Sequence, residues 1–272
     1  MELGVLIGQM ENMEKEFEKV VELGLGTCQV SCWNEALFTR DAGKAMKQAA
    51  ADAGVRISAI WAGWPGPKVW NFVDGPLTLG LVPRAYRDRR QEAIIACSKM
   101  AEAAEVEHVA THVGFIPENA NDPAYKEVVV AVRFIAQALK AQGQTFLFET
   151  GQETPVTLLR TISDVGYDNL GVNLDPANLL MYGKANPVDA VELFGRYIKG
   201  VHVKDGEYPV DGRSLGRERP VGEGKVDFPL FLKKLAEQGY AGSLTIEREI
   251  SGEQQRIDIL KSIDLLRGWL SK

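Results

Sequence analysis

Apolar runs rich in β-branched residues recur along the chain, each followed by a stretch whose apolar positions repeat at helical spacing. Eight such units follow one another. The runs predict strands over 2–7, 27–33, 56–64, 108–114, 145–150, 170–175, 198–205 and 243–249. The stretches between them predict helices over 13–23, 40–53, 84–105, 122–142, 155–165, 187–194, 228–238 and 252–270. Five of these helices run into a glycine (Gly24, Gly54, Gly143, Gly166, Gly239), the residue that most readily takes the left-handed turn closing a helix. Strand and helix in strict alternation imply parallel strands joined by crossover helices, and eight units in one series fit a single (β/α)8 TIM barrel over residues 1–272 better than an open sheet. Two connections are long, 65–83 and 206–226, and long ordered loops in compact domains usually serve as lids or binding loops.

Composition narrows the function. At 272 residues and 45% hydrophobic the chain can bury a large core, and no stretch has the charge-rich, apolar-poor character of disorder. A net charge of -6 repels nucleic acid, which is not an expected partner. The N-terminal MELGVLIGQMENMEKEFEK fits neither a signal peptide nor a membrane span, so a cytoplasmic protein with no membrane partner is expected. Cys28, Cys32 and Cys97 form no CxxC pair and read as reduced, partly buried thiols. Neither a dinucleotide-binding glycine fingerprint nor a P-loop is present.

In a barrel of this kind the active site lies at the C-terminal ends of the strands. The fifth, sixth, seventh and eighth runs close on Glu149, Asp175, His202 and Glu247, separated by 26, 27 and 45 residues, the last interval including the long loop. Each alone is as readily a helix cap or an arginine partner. Four such coincidences are far rarer than one shared cause. Three carboxylates converging in a low-dielectric mouth cost several kcal/mol unless a cation offsets them, and a divalent metal is the simplest one. The oxygen-rich set suits Mn²⁺ or Mg²⁺, with Co²⁺ and Zn²⁺ as the other candidates.

Other residues gather near the same mouth. His112 ends the fourth run and is a candidate to orient substrate, a structural histidine being at least as common a reading. Asn178, three residues past Asp175, either contacts a substrate hydroxyl or starts a helix. Trp61, with Trp64 and Trp70 close behind it, offers an apolar face for the C–H side of a sugar, although core packing is the commoner role of any one indole. Arg213, Arg217 and Arg219 in the second long loop are candidates for substrate oxygens or a phosphate, solvated loop arginines being the common alternative. Asp205, three residues from His202, is expected to point outward, and Glu249, two from Glu247, inward; both are expected to support the site or to form salt bridges.

The segments FLFETGQETP, GVNLDPANLLMYG, VHVKD, PVGEGKVDF and LTIERE together resemble the xylose isomerase-like TIM-barrel superfamily, the sugar phosphate isomerases and epimerases, over nearly the whole chain. The resemblance implies one Mn²⁺-type ion held by Glu149, Asp175, His202 and Glu247. By likeness to the ketose 3-epimerases, it also implies Glu149 and Glu247 as acid/base pair on opposite sides of the substrate carbon. Those epimerases often carry a histidine where this chain has Asn178. With three histidines in all, His108, His112 and His202, the chain lacks the set that the family's three-zinc DNA-repair endonucleases use. The expected function is a metal-dependent epimerase or isomerase moving a proton beside the carbonyl of a carbohydrate through an enediolate. The alternatives are a lyase or dehydratase acting on a keto-inositol or 3-keto-glycoside, and a non-catalytic carbohydrate-binding subunit. A homo-oligomer is expected from the resemblance alone.

Overall fold

The computed structural model describes residues 1–271. Eight parallel strands close into a barrel: β1 (Glu2–Gly8), β2 (Thr27–Cys32), β3 (Arg56–Ala62), β4 (His108–Thr111), β5 (Thr145–Glu149), β6 (Leu170–Leu174), β7 (Ile198–Val203) and, after a short antiparallel pair β8 (Asp205–Gly206) and β9 (Glu218–Arg219), β10 (Ser243–Ile246). The ring closes where β1 pairs with β10 through Leu3 and Leu244 and with β2 through Val5 and Cys28. Helices α1 (Glu14–Glu22), α2 (Arg40–Ala53), α3 (Gly75–Thr78), α4 (Arg84–Ala103), α5 (Pro123–Lys140), α6 (Pro155–Val165), α7 (Pro176–Met181), α8 (Pro187–Phe194), α9 (Phe228–Glu237) and α10 (Glu253–Leu270) complete the chain. Among the described residues, no helix is long and apolar enough to cross a membrane.

The eight expected strands all form, but each of the last seven stops one to three residues before its expected end. Trp33, Gly114, Thr150, Asp175 and Glu249 were expected inside strands and instead lie past them, and Asp205 leaves β7 to start the short β8. The cause is local. Polar residues at the mouth leave the ladder to point at one another or at the next helix. The expected helices hold within three residues at each end, with Gly54 and Gly166 left-handed at their C-caps. Two helices escaped the periodicity, α3 and α7, each too short to show it.

Strand alternation then decides what faces where. In β5, Phe146 and Phe148 point out into the helix layer, while Leu147 and Glu149 point in. The inward positions form a small apolar cluster of Trp61, Ala110 and Leu147, with a buried polar layer of Gln29, Asn173 and His202 beside it. Gly200 makes that layer feasible: a Cβ there would lie 2.1 Å from Asn173 Oδ1. The three cysteines are free and buried, with Cys28 and Cys32 both packed in the main core.

Candidate metal centre and active site

Glu149 ends β5, Asp175 precedes α7, His202 lies in β7 and Glu247 follows β10. One potential ligand atom from each lies within 4.8 Å of the others. Each is held by a different local device. Asp175 caps α7: its Oδ1 accepts the Asn178 N–H at 2.8 Å, and Oδ2 is left buried without a hydrogen-bond partner. His202 Nε2 meets Gln29 Oε1 at 2.8 Å. The Gln29 amide nitrogen in turn donates to Asn173 Oδ1 at 3.1 Å, and the Asn173 amide donates to Glu149 Oε2. That chain makes Gln29 Oε1 an acceptor, so Nε2 carries a proton and Nδ1 is the nitrogen that faces the carboxylates.

His202 Nδ1 lies 2.9 Å from both Glu149 Oε1 and Glu247 Oε2, yet it is aligned for a hydrogen bond with neither. An orphaned imidazole nitrogen and an orphaned carboxylate oxygen, both buried, converge on one point with two further carboxylates. This is the donor set of a divalent cation: an oxygen majority with one imidazole. Without such an ion, burial alone would lower the His202 pKa, and the charges of Glu149 and Glu247 overturn that and hold it well above its ordinary value.

Lys204 supplies a positive charge that the sequence reading passed over. It is buried two residues beyond His202 on the same face of the chain, with Nζ 3.1 Å from Glu249, 3.5 Å from Glu247 and 3.9 Å from Asp175. Burial disfavours its charge, and those carboxylates outweigh the penalty and raise its pKa well above the usual lysine range. Reciprocally, despite burial, Lys204 and His202 hold Glu247 far below the usual carboxylate range. The same two-residue step that places Glu249 inward would have found Lys204.

Glu149 and Glu247 open into a cavity of about 420 Å³ that also meets Ser31, Trp33, Trp61, Trp70, His112, Asn178, Tyr182, Lys204 and Glu249. His112 faces the Glu149 carbonyl with Nδ1 at 3.3 Å, which leaves Nε2 as an acceptor. Burial first, and Lys204 second, push its pKa down to about 4, so the ring is neutral at physiological pH. Trp61, His112 and Asn178 therefore lie on the cavity wall, where the sequence expected substrate contacts.

Arg217 and Arg219 are not brought there. Arg219 pairs with Glu207 at 2.9 Å, and the Arg217 carbonyl accepts from Glu207 N–H, because this stretch is spent closing the β8–β9 pair. Asp205 is also corrected: it is buried and accepts backbone N–H groups of Gly206, Gly222, Gly224 and Val226 at 2.8 to 3.1 Å, tying down both ends of the long loop. The two long loops meet over the mouth, where Phe72 N–H donates to the Arg213 carbonyl at 2.9 Å.

A family model described as xylose isomerase-like TIM barrel matches residues 17–269. The chain belongs to that family. This xylose isomerase-like barrel is 27% identical over 207 residues to the uncharacterized protein MJ1311 of Methanocaldococcus jannaschii, spanning 70% of this chain and 67% of that one. Among solved structures it resembles a xylose isomerase domain protein from Planctomyces limnophilus, at 33% identity and a TM-score of 0.92 over 98% and 96% of the two chains. A D-tagatose 3-epimerase-like protein shares the fold at 22% identity and a TM-score of 0.76, over 100% and 97%.

The fold alone is shared, at 15% or 16% identity, TM-scores of 0.71 or 0.72 and at least 96% of both chains, with three others. They are a D-psicose 3-epimerase from Clostridium cellulolyticum H10, a 3-keto-D-glucoside 4-epimerase from E. coli and a probable 3-DHS dehydratase from Bacillus anthracis. The neighbours of this xylose isomerase-like barrel thus include epimerases and a dehydratase.

Proposed function

We propose that this chain is a divalent-metal-dependent carbohydrate epimerase or isomerase in which Glu149 and Glu247 exchange a proton with the carbon beside a substrate carbonyl. The observation that carries the reading is the pair of carboxylates 2.9 Å on either side of one unaligned imidazole nitrogen, open to the cavity. An ion held by Glu149, Asp175, His202 and Glu247, Mn²⁺ by preference of the donor set, would polarise the substrate's carbonyl and hydroxyl oxygens and so acidify the neighbouring C–H bond. One glutamate accepts that proton, and the other returns a proton to the resulting enediolate. Glu149 and Glu247 end strands that flank β6 and β7 in the barrel, so they approach a substrate from different directions. Neutral His112 accepts a hydrogen bond from a substrate hydroxyl, the Asn178 amide binds another, and Trp61 lies against the sugar's C–H side.

Elimination is the second reading, favoured by the Lys204 ammonium beside Glu247, placed to hydrogen-bond a departing hydroxyl on the next carbon. The test is solvent exchange: Mn²⁺-loaded protein in deuterated buffer should label a carbon-bound position of a ketose or keto-sugar, followed by NMR. Glu247→Gln and Glu149→Gln should each abolish labelling. No exchange across a broad panel overturns the proposal, and product analysis separates epimerisation from elimination.

A further inference from the structure

The cavity has two chemically different halves. Its floor is the charged cluster, while one wall is built from Trp33, Trp61 and Trp70. Trp33 and Trp70 keep 39% and 41% of their surface exposed although they line a concave site. Each is fixed in place. The Trp33 indole N–H donates to Ser31 Oγ at 3.1 Å, its ring sits 5.1 Å from Trp61, and a Cβ on Gly63 would lie 2.5 Å from that ring, so only glycine there seats it. Trp70 packs on Trp64 and His112, and its loop is pinned by buried Arg90, which donates to the carbonyls of Pro65, Pro67 and Gly80. Lys68, an exposed side chain, rests its ammonium 4.9 Å over the Trp33 ring.

Two quantities say what such a wall would hold. A volume of about 420 Å³ falls within the roughly 300–1,000 Å³ range of pockets that enclose drug-sized ligands, more than one sugar ring needs. The charge is not positive: Glu149, Asp175, Glu247 and Glu249 carry four negative charges against three positive from Lys204 and one divalent ion, and Arg217 and Arg219 stay outside. A phosphate would gain no fork donor here and would meet carboxylates.

We propose that the tryptophan wall is a subsite for the second ring of an uncharged glycoside, aglycone or second sugar, so that the substrate is a keto-glycoside and not a free ketose or a sugar phosphate. The inference rests on the proposed function for the location of the reacting ring. Indoles present flat, apolar, preorganised faces to such a ring.

The test uses unreactive ligands, so binding is read apart from turnover. Mn²⁺-loaded protein is titrated with phenyl β-D-glucopyranoside, methyl β-D-glucopyranoside, D-fructose and fructose 6-phosphate, by calorimetry and tryptophan fluorescence. The phenyl glucoside should bind about tenfold tighter than the methyl glucoside and quench fluorescence, and Trp33→Ala and Trp70→Ala should each bring that ratio toward one. Equal affinities for the two glucosides, an unchanged ratio in both variants, or tighter binding of fructose 6-phosphate than of any glycoside overturns it. A phenyl preference with no proton exchange on any keto-sugar would sink the catalytic reading and leave the subsite standing. Exchange without the preference does the reverse.

Discussion

Gln29, on β2, fixes the protonation of His202, on β7, through a 2.8 Å hydrogen bond across the barrel interior. The contact holds a proton on Nε2 and aims Nδ1 at the three carboxylates, as the nitrogen a bound ion would take. Replacing Gln29 by leucine removes the acceptor, frees the ring to exchange tautomers and cuts the link through Asn173 to Glu149. Partners of this kind typically contribute 10–100-fold to metal affinity. Gln29→Leu is expected to weaken Mn²⁺ binding by roughly that factor, read by titration of the metal-free protein with EPR detection. An unchanged affinity would show that the interior amides are only packing.

Chelation should lower stability. Two buried carboxylates, a third partly buried and an orphaned imidazole nitrogen share one small volume, and an ion that binds only the folded state stabilises it by roughly 2.7 kcal/mol at a hundred times its Kd. EDTA treatment is expected to drop Tm by several degrees, and Mn²⁺, but not Na⁺ at equal ionic strength, to restore it. A melting curve indifferent to both would remove the metal from the account.

The barrel was legible in the chain because strand and helix periods alternate cleanly, and the four converging residues were legible because each closes an apolar run. What escaped did so for identifiable reasons. Lys204 escaped because lysine is rarely fully buried and nothing else in VHVKD marks it, although its step from His202 puts it inside. Trp33 is separated from Trp61 by a whole helix, and only the register joining Ser31 to Trp61 reveals that they share a wall. Arg217 and Arg219 lie in a loop with no period to fix direction, so sequence alone could not turn them away from the mouth.

Glu153, four residues past Glu149, is buried with Oε2 unpartnered. Burial, with Glu149 adding to it, raises its pKa from 4.5 to about 8, against the pull of Lys184 and backbone N–H groups. The raised folded-state pKa means that the neutral carboxyl's stabilising contribution is complete below pH 4.5 and is lost as pH climbs through 8. Each pH unit in that window is worth at most about 1.4 kcal/mol. Glu153→Gln, permanently neutral, should lose less stability between pH 5.5 and 8.5 than the unsubstituted protein, measured by urea midpoints. Parallel pH profiles would mean that Glu153 titrates normally.

Lys204 and an ion bound at the cluster would offset the same carboxylates, so removing the lysine has a definite sign. Its ammonium lies within 4 Å of Asp175, Glu247 and Glu249, so Lys204→Met leaves those charges facing one another with His202 in place but without the lysine's charge. Removing one partner from a buried ionic cluster commonly costs about 3–5 kcal/mol, and the metal-free variant should be destabilised on that scale. The same loss deepens the negative potential at the cluster, and a divalent ion responds to it directly. Adding Mn²⁺ should therefore raise the variant's Tm by more than it raises that of the unsubstituted protein, and the variant's Kd for Mn²⁺ should fall. If metal instead stabilised Lys204→Met less, Lys204 would have to be supporting the geometry of the ligands, most directly Glu247, more than competing with the ion for their charge.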